Sequence, residues 1–235
     1  APGWTKLGRH GLDTTSPDAP KLVYGFIDRE EAGDAVVTKD DWDTLGMRAS
    51  QSRTTVLNQA PVPAARIVRR VDPGPNPDPI VFGIFSVFEL LLAAVYHGIA
   101  QRALAVAIET VRSRRSKKLD KPYAQDPDIR WRIAEAGLAL DALEPQITSL
   151  ARDVDEVADH GARWFSLLAG VKVRSTETAR LVVDEAIRSS GGSSYFTSNE
   201  LSRLYRDVLA GIFHPSDAES AHATMAGFLL GPVEP

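Results

Sequence analysis

The chain has 235 residues, of which 43% are hydrophobic and 25% charged, and a formal net charge of −4. This composition is typical of a globular protein with a substantial core in one or two domains, and the weakly acidic charge argues against a nucleic-acid partner. The sequence contains no cysteine, which excludes disulfides, thiolate metal sites and cysteine nucleophiles. We find no signal-peptide pattern at the start and therefore expect a cytoplasmic protein.

Residues 1–75 have the pattern of short strands separated by turn residues. Apolar and β-branched runs predict strands at 22–27, 34–38, 54–57 and 65–68. Strands this few and this short do not make a complete sandwich or barrel, so we predict a partial antiparallel β domain over residues 1–75.

A linker is predicted at 71–79, where four prolines in nine residues oppose regular structure. Beyond it, apolar residues recur at helical spacing almost to the end of the chain. The predicted helices are 80–115, 126–157, 162–190, 198–213 and 217–229. Long helices with short loops predict a C-terminal domain over residues 80–235, an up-down four-helix bundle with an extra terminal helix, and the fold class is therefore α+β.

Three local features of these helices also lead to expectations. Pro145 is expected to bend the second helix. Thr197, with Glu200 three residues later, is expected to form a capping box at the start of the fourth. The nearly apolar run 81–100 has the length of a membrane span, but Glu89 and His97 interrupt it, so we predict a buried bundle helix without a membrane partner and a satisfied core histidine at position 97.

Few residues have the spacing of a functional site. The five histidines and the carboxylates show no metal-ligand spacing, so we predict no metal site. The basic run 112–118 fits either a solvated helix end or an arginine clamp for phosphate. Gly191-Gly192 ends the third helix in a bare turn that a ligand can approach closely. His214 fits either a histidine stabilised by the helix dipole or a proton-transfer group.

Several stretches occur in an order that matches a known family. They are 41–52, the Pro-Val-Pro at 61–63, 98–104, and Gly191-Gly192 followed fourteen residues later by Arg206-Asp207. Together these stretches resemble the acyl-CoA dehydrogenase superfamily, from late in its middle β domain to the end of its helical bundle. The resemblance covers residues 20–231, and the family's N-terminal helical domain and first half of the β domain have no counterpart in it.

The resemblance implies a flavoprotein oxidoreductase that binds FAD, or alternatively FMN, in a homotetramer or dimer of dimers that shares the flavin between subunits. It implies that Arg114 and Ser116 lie at the flavin pyrophosphate. It also implies that Gly191 and Gly192 lie beside the flavin of a neighbouring subunit. Lys117 stands where the family usually has an aromatic residue.

The catalytic base departs from the family pattern. The position that holds a glutamate in most acyl-CoA dehydrogenases is Pro215 here, which cannot accept a proton. The alternative family position is Phe88, with Glu89 beside it, and we expect these two residues to bind substrate. His214 resembles a histidine of the related two-component flavin monooxygenases and is the predicted catalytic residue, with Asp217 and Glu219 just beyond it as alternative acid–base groups.

These observations lead to three hypotheses for function. The first is dehydrogenation of CH–CH bonds in a small substrate such as a CoA thioester, with an electron-transfer flavoprotein as partner. The second is a reduced-flavin monooxygenase that uses His214 and receives its flavin from a reductase. The third is a non-catalytic helical subunit that serves in assembly.

Overall fold

The structure of the chain is a computed structural model that describes residues 6–13, 19–73, 76, 78–117 and 120–233. The described chain divides into two compact units. The first contains the residues up to 43 together with 48–85, and the second contains 44–47 and 86–235. The division falls within the first long helix rather than in the proline-rich segment, and the domain bounds 1–75 and 80–235 stay predictions.

The first unit contains two small antiparallel sheets. Strands β1 (Lys6–Asp13), β2 (Lys21–Asp28) and β5 (Ile67–Val71) form one sheet in the order β1-β2-β5. Strands β3 (Val36–Thr38) and β4 (Thr55–Leu57) form the other. A single turn of helix, α1 (Arg29–Ala32), follows β2.

One strand was not predicted, and two predicted strands begin two residues later than expected. The strand predicted at 34–38 begins at Val36, because residues 33–35 form a 3-10 turn. Strand β1 pairs with β2 along its whole length but was not predicted, because its sequence lacks the alternation of apolar residues that indicates a strand. The strand predicted at 65–68 begins instead at Ile67, since residues 64–66 form a 3-10 turn directly after Pro63.

The second unit is helical. Its helices are α2 (Pro79–Ser113, whose first residues lie in the other unit), α3 (Pro127–Asp141), α4 (Leu143–Asp155), α5 (Arg163–Ser190), α6 (Glu200–Val208) and α7 (Ala218–Leu230). A two-residue pair, β6 (Arg115–Ser116) and β7 (Lys121–Pro122), follows α2, and a 3-10 turn over 209–212 follows α6. A mostly helical chain with small antiparallel sheets confirms the predicted α+β class.

The core of the helical unit combines small residues of α2 with branched residues of the other helices. Its buried members are Tyr96, Ala100, Ala103, Ala107, Ala136, Leu140, Leu143, Ala179, Val182, Val183, Ala186, Leu201, Leu204 and Val208. The alanines of α2 recur at three- and four-residue steps, so they form one face of the helix. This face allows the neighbouring helices to pack closely against α2.

Two details of the helices differ from prediction. The second predicted helix is divided at Ala142 rather than bent at Pro145. Proline has no amide hydrogen for the carbonyl four residues earlier, which is that of Asp141, the last residue of α3. The cap of α6 is Asn199, whose side chain accepts a hydrogen bond from the Leu201 amide at 2.9 Å, and not Thr197.

Helix α2 is the one helix in the described part of the chain that is long and apolar enough to cross a membrane. Such a helix is also typical of a bundle core. Within the helical unit, Ser86, Glu89 and Tyr96 of α2 are buried, whereas Val87, Leu91 and Val95 are exposed. Only 22% of its most apolar stretch is buried, so α2 buries one side and not most of its surface, contrary to the prediction. The absence of a membrane partner stays a prediction.

Candidate functional site

Two clusters of polar side chains stand out in the helical unit. The first, the guanidinium cluster, consists of Arg114, Tyr123, Ser190, Gly191 and Ser193. Arg114 follows the last residue of α2, and its Nη1 donates to the carbonyl oxygen of Ser190 at 2.6 Å and to Oγ of Ser193 at 2.9 Å. Its guanidinium carbon lies 5.4 Å from the centroid of the Tyr123 ring.

The turn beside Arg114 depends on glycine. Gly191 ends α5 with a φ of 75°, a left-handed conformation that side-chain-bearing residues rarely adopt. A Cβ added at Gly192 would meet nothing within 4 Å, so this part of the turn is bare. The structure therefore brings Arg114 and the glycine turn together at the end of α5.

The second cluster, the histidine cluster, consists of Glu89, Tyr96, Lys172, His214 and Ser216. The Nδ1 atom of His214 lies 2.9 Å from Oη of Tyr96. Tyr96 is fully buried on α2, and burial raises the pKa of its hydroxyl, which therefore stays protonated. A tyrosine hydroxyl both donates and accepts, so this bond can present Nε2 of His214 either as a proton donor or as a proton acceptor.

Lys172 fixes the turn that carries His214. Its side chain is fully buried on α5, and its Nζ donates to the carbonyl oxygens of Gly211 at 3.1 Å, His214 at 2.5 Å and Ser216 at 2.8 Å. Burial lowers the pKa of the half-buried His214, and the positive charge of Lys172 lowers it further. The imidazole is therefore neutral near pH 7.

Glu89 holds the same turn from α2. One carboxylate oxygen, Oε1, accepts from the amide of Ser216 at 3.0 Å and from its hydroxyl at 2.9 Å. The other, Oε2, is buried without a hydrogen-bond partner in the described residues. Burial raises the pKa of Glu89, while the hydrogen bonds from Ser216 and the charge of Lys172 act in the opposite direction.

Comparison with known proteins identifies the family. A sequence model of the family described as "Acyl-CoA dehydrogenase, C-terminal domain" matches residues 90–216, which is more than half of the chain. The chain belongs to the acyl-CoA dehydrogenase family. The predicted resemblance is thereby confirmed.

Relatives of this acyl-CoA dehydrogenase family member are named for different activities. This chain is 31% identical to amino sugar nitrososynthase DnmZ of Streptomyces peucetius, and the match covers 83% of this chain and 48% of that protein. It is 28% identical to putative acyl-CoA dehydrogenase YdbM of Bacillus subtilis (strain 168), covering 90% and 56%. The chain spans about half the length of the curated relatives it matches.

A solved structure supports the fold of this family member. That solved structure is the one of KijD3 in complex with FMN and dTDP-3-amino-2,3,6-trideoxy-4-keto-3-methyl-D-glucose, to which this chain is similar. The TM-score is 0.84 at 24% identity, and the match covers 98% of this chain and 56% of that one.

Neither of the two positions at which the family resemblance predicts a glutamate holds an exposed carboxylate in this chain. Pro215 occupies the first, and Phe88, with 43% of its surface exposed, occupies the second. Glu89 beside it is only 1% exposed and is bonded to Ser216. The substrate-binding roles of Phe88 and Glu89 stay predictions, and the contacts of Glu89 are with the His214 turn.

The alternative acid–base groups beyond His214 are less suited to proton transfer. The Asp217 side chain caps α7 by accepting from the Ser220 amide at 2.8 Å, and the hydrogen bonds from Ser220 lower the pKa of Asp217. Glu219 lies exposed in the first turn of α7. His97, expected to be a satisfied core histidine, is instead half-buried, and its buried Nδ1 has no hydrogen-bond partner in the described residues.

The guanidinium cluster contains three residues that the sequence prediction missed, namely Tyr123, Ser190 and Ser193. Tyr123 is brought to Arg114 by the β6–β7 pair, and its amide donates to the Arg114 carbonyl at 2.9 Å. Tyr123 thus places an aromatic ring beside Arg114, a contact that the predicted aromatic position cannot provide because it holds Lys117. Ser193 lies just past the glycine pair. Ser116 is half-buried in β6, and its role at a pyrophosphate, like those of Arg114, Gly191 and Gly192, stays a prediction.

Proposed function

We propose that this chain is part of a flavin-dependent monooxygenase that oxidises the amino group of a sugar, with His214 as its acid–base residue. The observation that carries the proposal is the Tyr96–His214 pair, whose imidazole lies one residue before Pro215, the position where the family resemblance predicts a glutamate. Pro215 cannot take a proton from a carbon atom, whereas a neutral imidazole can exchange protons near pH 7. The similarity to an amino sugar nitrososynthase supports the same substrate class.

The guanidinium cluster fits the phosphate of a flavin. Arg114 is a fork-shaped cation held in place by Ser190 and Ser193, and the adjacent turn has no side chain at Gly191 or Gly192 to obstruct a ligand. Arginine guanidinium and hydroxyl donors bind phosphate oxygens well. We propose FAD or FMN as the cofactor, and FMN is the flavin present in the KijD3 structure.

The two clusters of one chain lie far apart. Tyr96 and Ser113 are seventeen residues apart on α2, which corresponds to roughly 26 Å along the helix axis. A single flavin held by both clusters of one chain would have to span that distance. The arrangement therefore supports a flavin shared between subunits of a homotetramer or dimer of dimers.

The chemistry requires proton transfer at the site of oxygen insertion. A reduced flavin, when bound, supplies the two electrons with which O₂ gives one oxygen atom to the substrate nitrogen and releases the other as water. The nitrogen must lose a proton and the departing oxygen must gain protons. His214 can perform these transfers at Nε2, because Tyr96 occupies Nδ1 and can take either role in their hydrogen bond.

A dehydrogenase is the second candidate, supported by the family and by the similarity to YdbM. A CH–CH dehydrogenation needs a base for the α-proton of a thioester, and Glu89 is the nearest family alternative. Its burial and its bonds to Ser216 favour a structural use of this carboxylate. The observations therefore favour the monooxygenase.

Anaerobic and aerobic reactions of the full-length protein separate the hypotheses. We expect FMN or FAD, reduced by a flavin reductase and NADH, to support conversion of a nucleotide-linked amino sugar to its N-hydroxyl product only when O₂ is present. Mass spectrometry would detect the added oxygen. Bleaching of bound oxidised flavin by an acyl-CoA without oxygen would instead favour the dehydrogenase. Absence of flavin binding in the full-length protein would favour the assembly subunit.

We expect Arg114→Met to weaken flavin binding about 10- to 100-fold, because hydrogen bonds to a charged group contribute about 1.5–3 kcal/mol. Isothermal titration with FMN and FAD would measure the change. Arg112→Met is the matched control, since it removes the same charge from an exposed position two residues earlier. Equal affinities of the two variants would remove Arg114 from the flavin site.

A further inference from the structure

The contacts of Lys172 are unusual for a lysine in a helical core. The ammonium is fully buried and makes three hydrogen bonds, all to main-chain carbonyls between residues 211 and 216. A neutral amine has only two hydrogens to donate, so three such bonds require the protonated form. The turn that follows α6 therefore closes around a buried positive charge.

A buried charge is costly unless polar groups compensate for it. Here the three carbonyl dipoles point at the cation, and Glu89, Glu177 and Asp217 supply negative charge near it. These charges raise the pKa of Lys172, whereas burial lowers it. An apolar residue at position 172 would leave the same three carbonyls without their donor.

The turn itself carries the candidate catalytic group. Lys172 bonds the carbonyl of His214, and Glu89 bonds the amide of Ser216 two residues later. Close packing fixes its start as well, because a Cβ at Gly211 would lie 2.8 Å from Cγ2 of Thr176. The main chain on both sides of His214 is thus attached to the helical core.

We propose that Lys172 is a positioning residue for His214, holding the turn that carries the imidazole through three main-chain carbonyls. This inference rests on the proposed function of His214. A misplacement of about 1 Å in a catalytic group can cost on the order of 100-fold in rate, so anchoring the backbone on both sides of the imidazole has a measurable consequence.

The same lysine also influences protonation of the imidazole. Its positive charge lowers the pKa of His214, in the same direction as burial. The other ionisable groups around the histidine cluster are Tyr96 and Glu89 on α2, Glu177 on α5, Asp207 on α6 and Asp217 at the start of α7. Of these groups and Lys172, only Lys172 is a cation, so we expect its removal to raise the pKa of His214.

The test compares Lys172→Met, Lys172→Arg and the control Leu168→Ala in the full-length protein. Leu168 is fully buried on the same helix one turn earlier, so its truncation weakens the core but removes no hydrogen bond to the turn. For Lys172→Met we expect kcat to fall about 10- to 100-fold while KM changes little. In NMR titrations, assigned with His214→Asn, we expect the imidazole of His214 to titrate at higher pH than in the wild type.

Lys172→Arg separates position from charge. We expect it to keep the low titration midpoint of His214, since the charge remains, while kcat falls because a guanidinium does not fit a site shaped by three carbonyls around an ammonium. If Lys172→Met does not fold, a lowered kcat with unchanged KM in Lys172→Arg supports the proposal.

Two results would overturn the proposal. One is a Lys172→Met enzyme whose kcat and His214 titration match those of Leu168→Ala. The other, where only the arginine variant folds, is a wild-type kcat in Lys172→Arg. A separate result would show that the proposed function itself is wrong, namely full turnover by His214→Asn. In that case the NMR titration would still show whether Lys172 affects the imidazole of His214.

Discussion

We expect His214→Asn to lower kcat of the full-length enzyme about 10²- to 10⁴-fold, the range in which positioned acid–base groups contribute to catalysis. Asparagine keeps a hydrogen-bonding group near Oη of Tyr96 but cannot exchange a proton near neutral pH. Because the turn is fixed by its main chain, through Lys172 and Glu89, the substitution should leave the backbone unchanged. The loss should therefore appear in kcat rather than in flavin affinity.

The pH dependence gives an independent check on the same residue. Burial and the charge of Lys172 both lower the pKa of His214 from its ordinary value of 6.5. As a base the imidazole is active when neutral, so activity should fall only as the pH decreases through a value below 6.5. An acid limb centred above that value would contradict the assignment.

His222→Asn is the matched control, because it makes the same substitution in an exposed histidine of α7 whose Nδ1 lies 2.6 Å from the Ala218 carbonyl. We expect this variant to retain wild-type kcat. Equal activity of the two asparagine variants would exclude His214 from the reaction.

The periodic parts of the fold were accessible from the sequence, and residues that depend on tertiary contacts were less so. The apolar pattern located α2 and α5 to within two residues of their observed ends, because each buries one face in the bundle. The ends of α7 were predicted equally closely, although Ala221 is its one buried residue among those described. Strand β1 was missed, because its pairing with β2 and not its own side-chain pattern makes it a strand. The cap of α6 is Asn199 rather than Thr197, because the asparagine directly precedes the first helical residue and its side-chain oxygen reaches the Leu201 amide.

The residues of the candidate site also depend on tertiary contacts that the sequence pattern does not show. Arg114 and Gly191 are 77 residues apart in sequence, and only the family resemblance suggested that both bind the cofactor. Lys172 was not singled out, although a signal was present. It lies four residues before Thr176 and seven before Ala179, both buried, so a lysine occupies a core-facing position of α5. A charged residue on a buried helix face indicates a polar partner in the core, but the sequence alone does not identify which residues provide it.

Gly46 is a second position at which we expect a large effect, this time on stability. A Cβ at Gly46 would lie 2.1 Å from the carbonyl oxygen of Arg206 and 2.7 Å from the amide nitrogen of Asp207. Both atoms belong to the backbone of α6 and cannot move aside as a flexible side chain would. The next residue, Met47, donates its amide to Oδ1 of Asp207 at 2.7 Å. The Arg206-Asp207 pair thus holds the segment 44–47 against α6.

We expect Gly46→Ala to lower the free energy of unfolding by about 3 kcal/mol, near the upper end of the usual cost of overpacking, since relief of the clash requires displacing main chain and breaking the Met47–Asp207 bond. Urea denaturation of the full-length protein would measure the change. Gly98→Ala is the control, because a Cβ there meets nothing within 4 Å inside α2, and alanine in a helix interior should stabilise by about 0.5–1 kcal/mol.

The two classes of variant should separate stability from chemistry. Gly46→Ala acts on the packing of 44–47 against α6 and leaves the contacts of His214 in place, so kcat per folded molecule should equal that of the wild type at a temperature where the variant is folded. His214→Asn should show the reverse, a wild-type denaturation midpoint with a large loss of kcat. If Gly46→Ala has the same urea denaturation midpoint as the wild type, the segment 44–47 does not pack against the Arg206-Asp207 backbone.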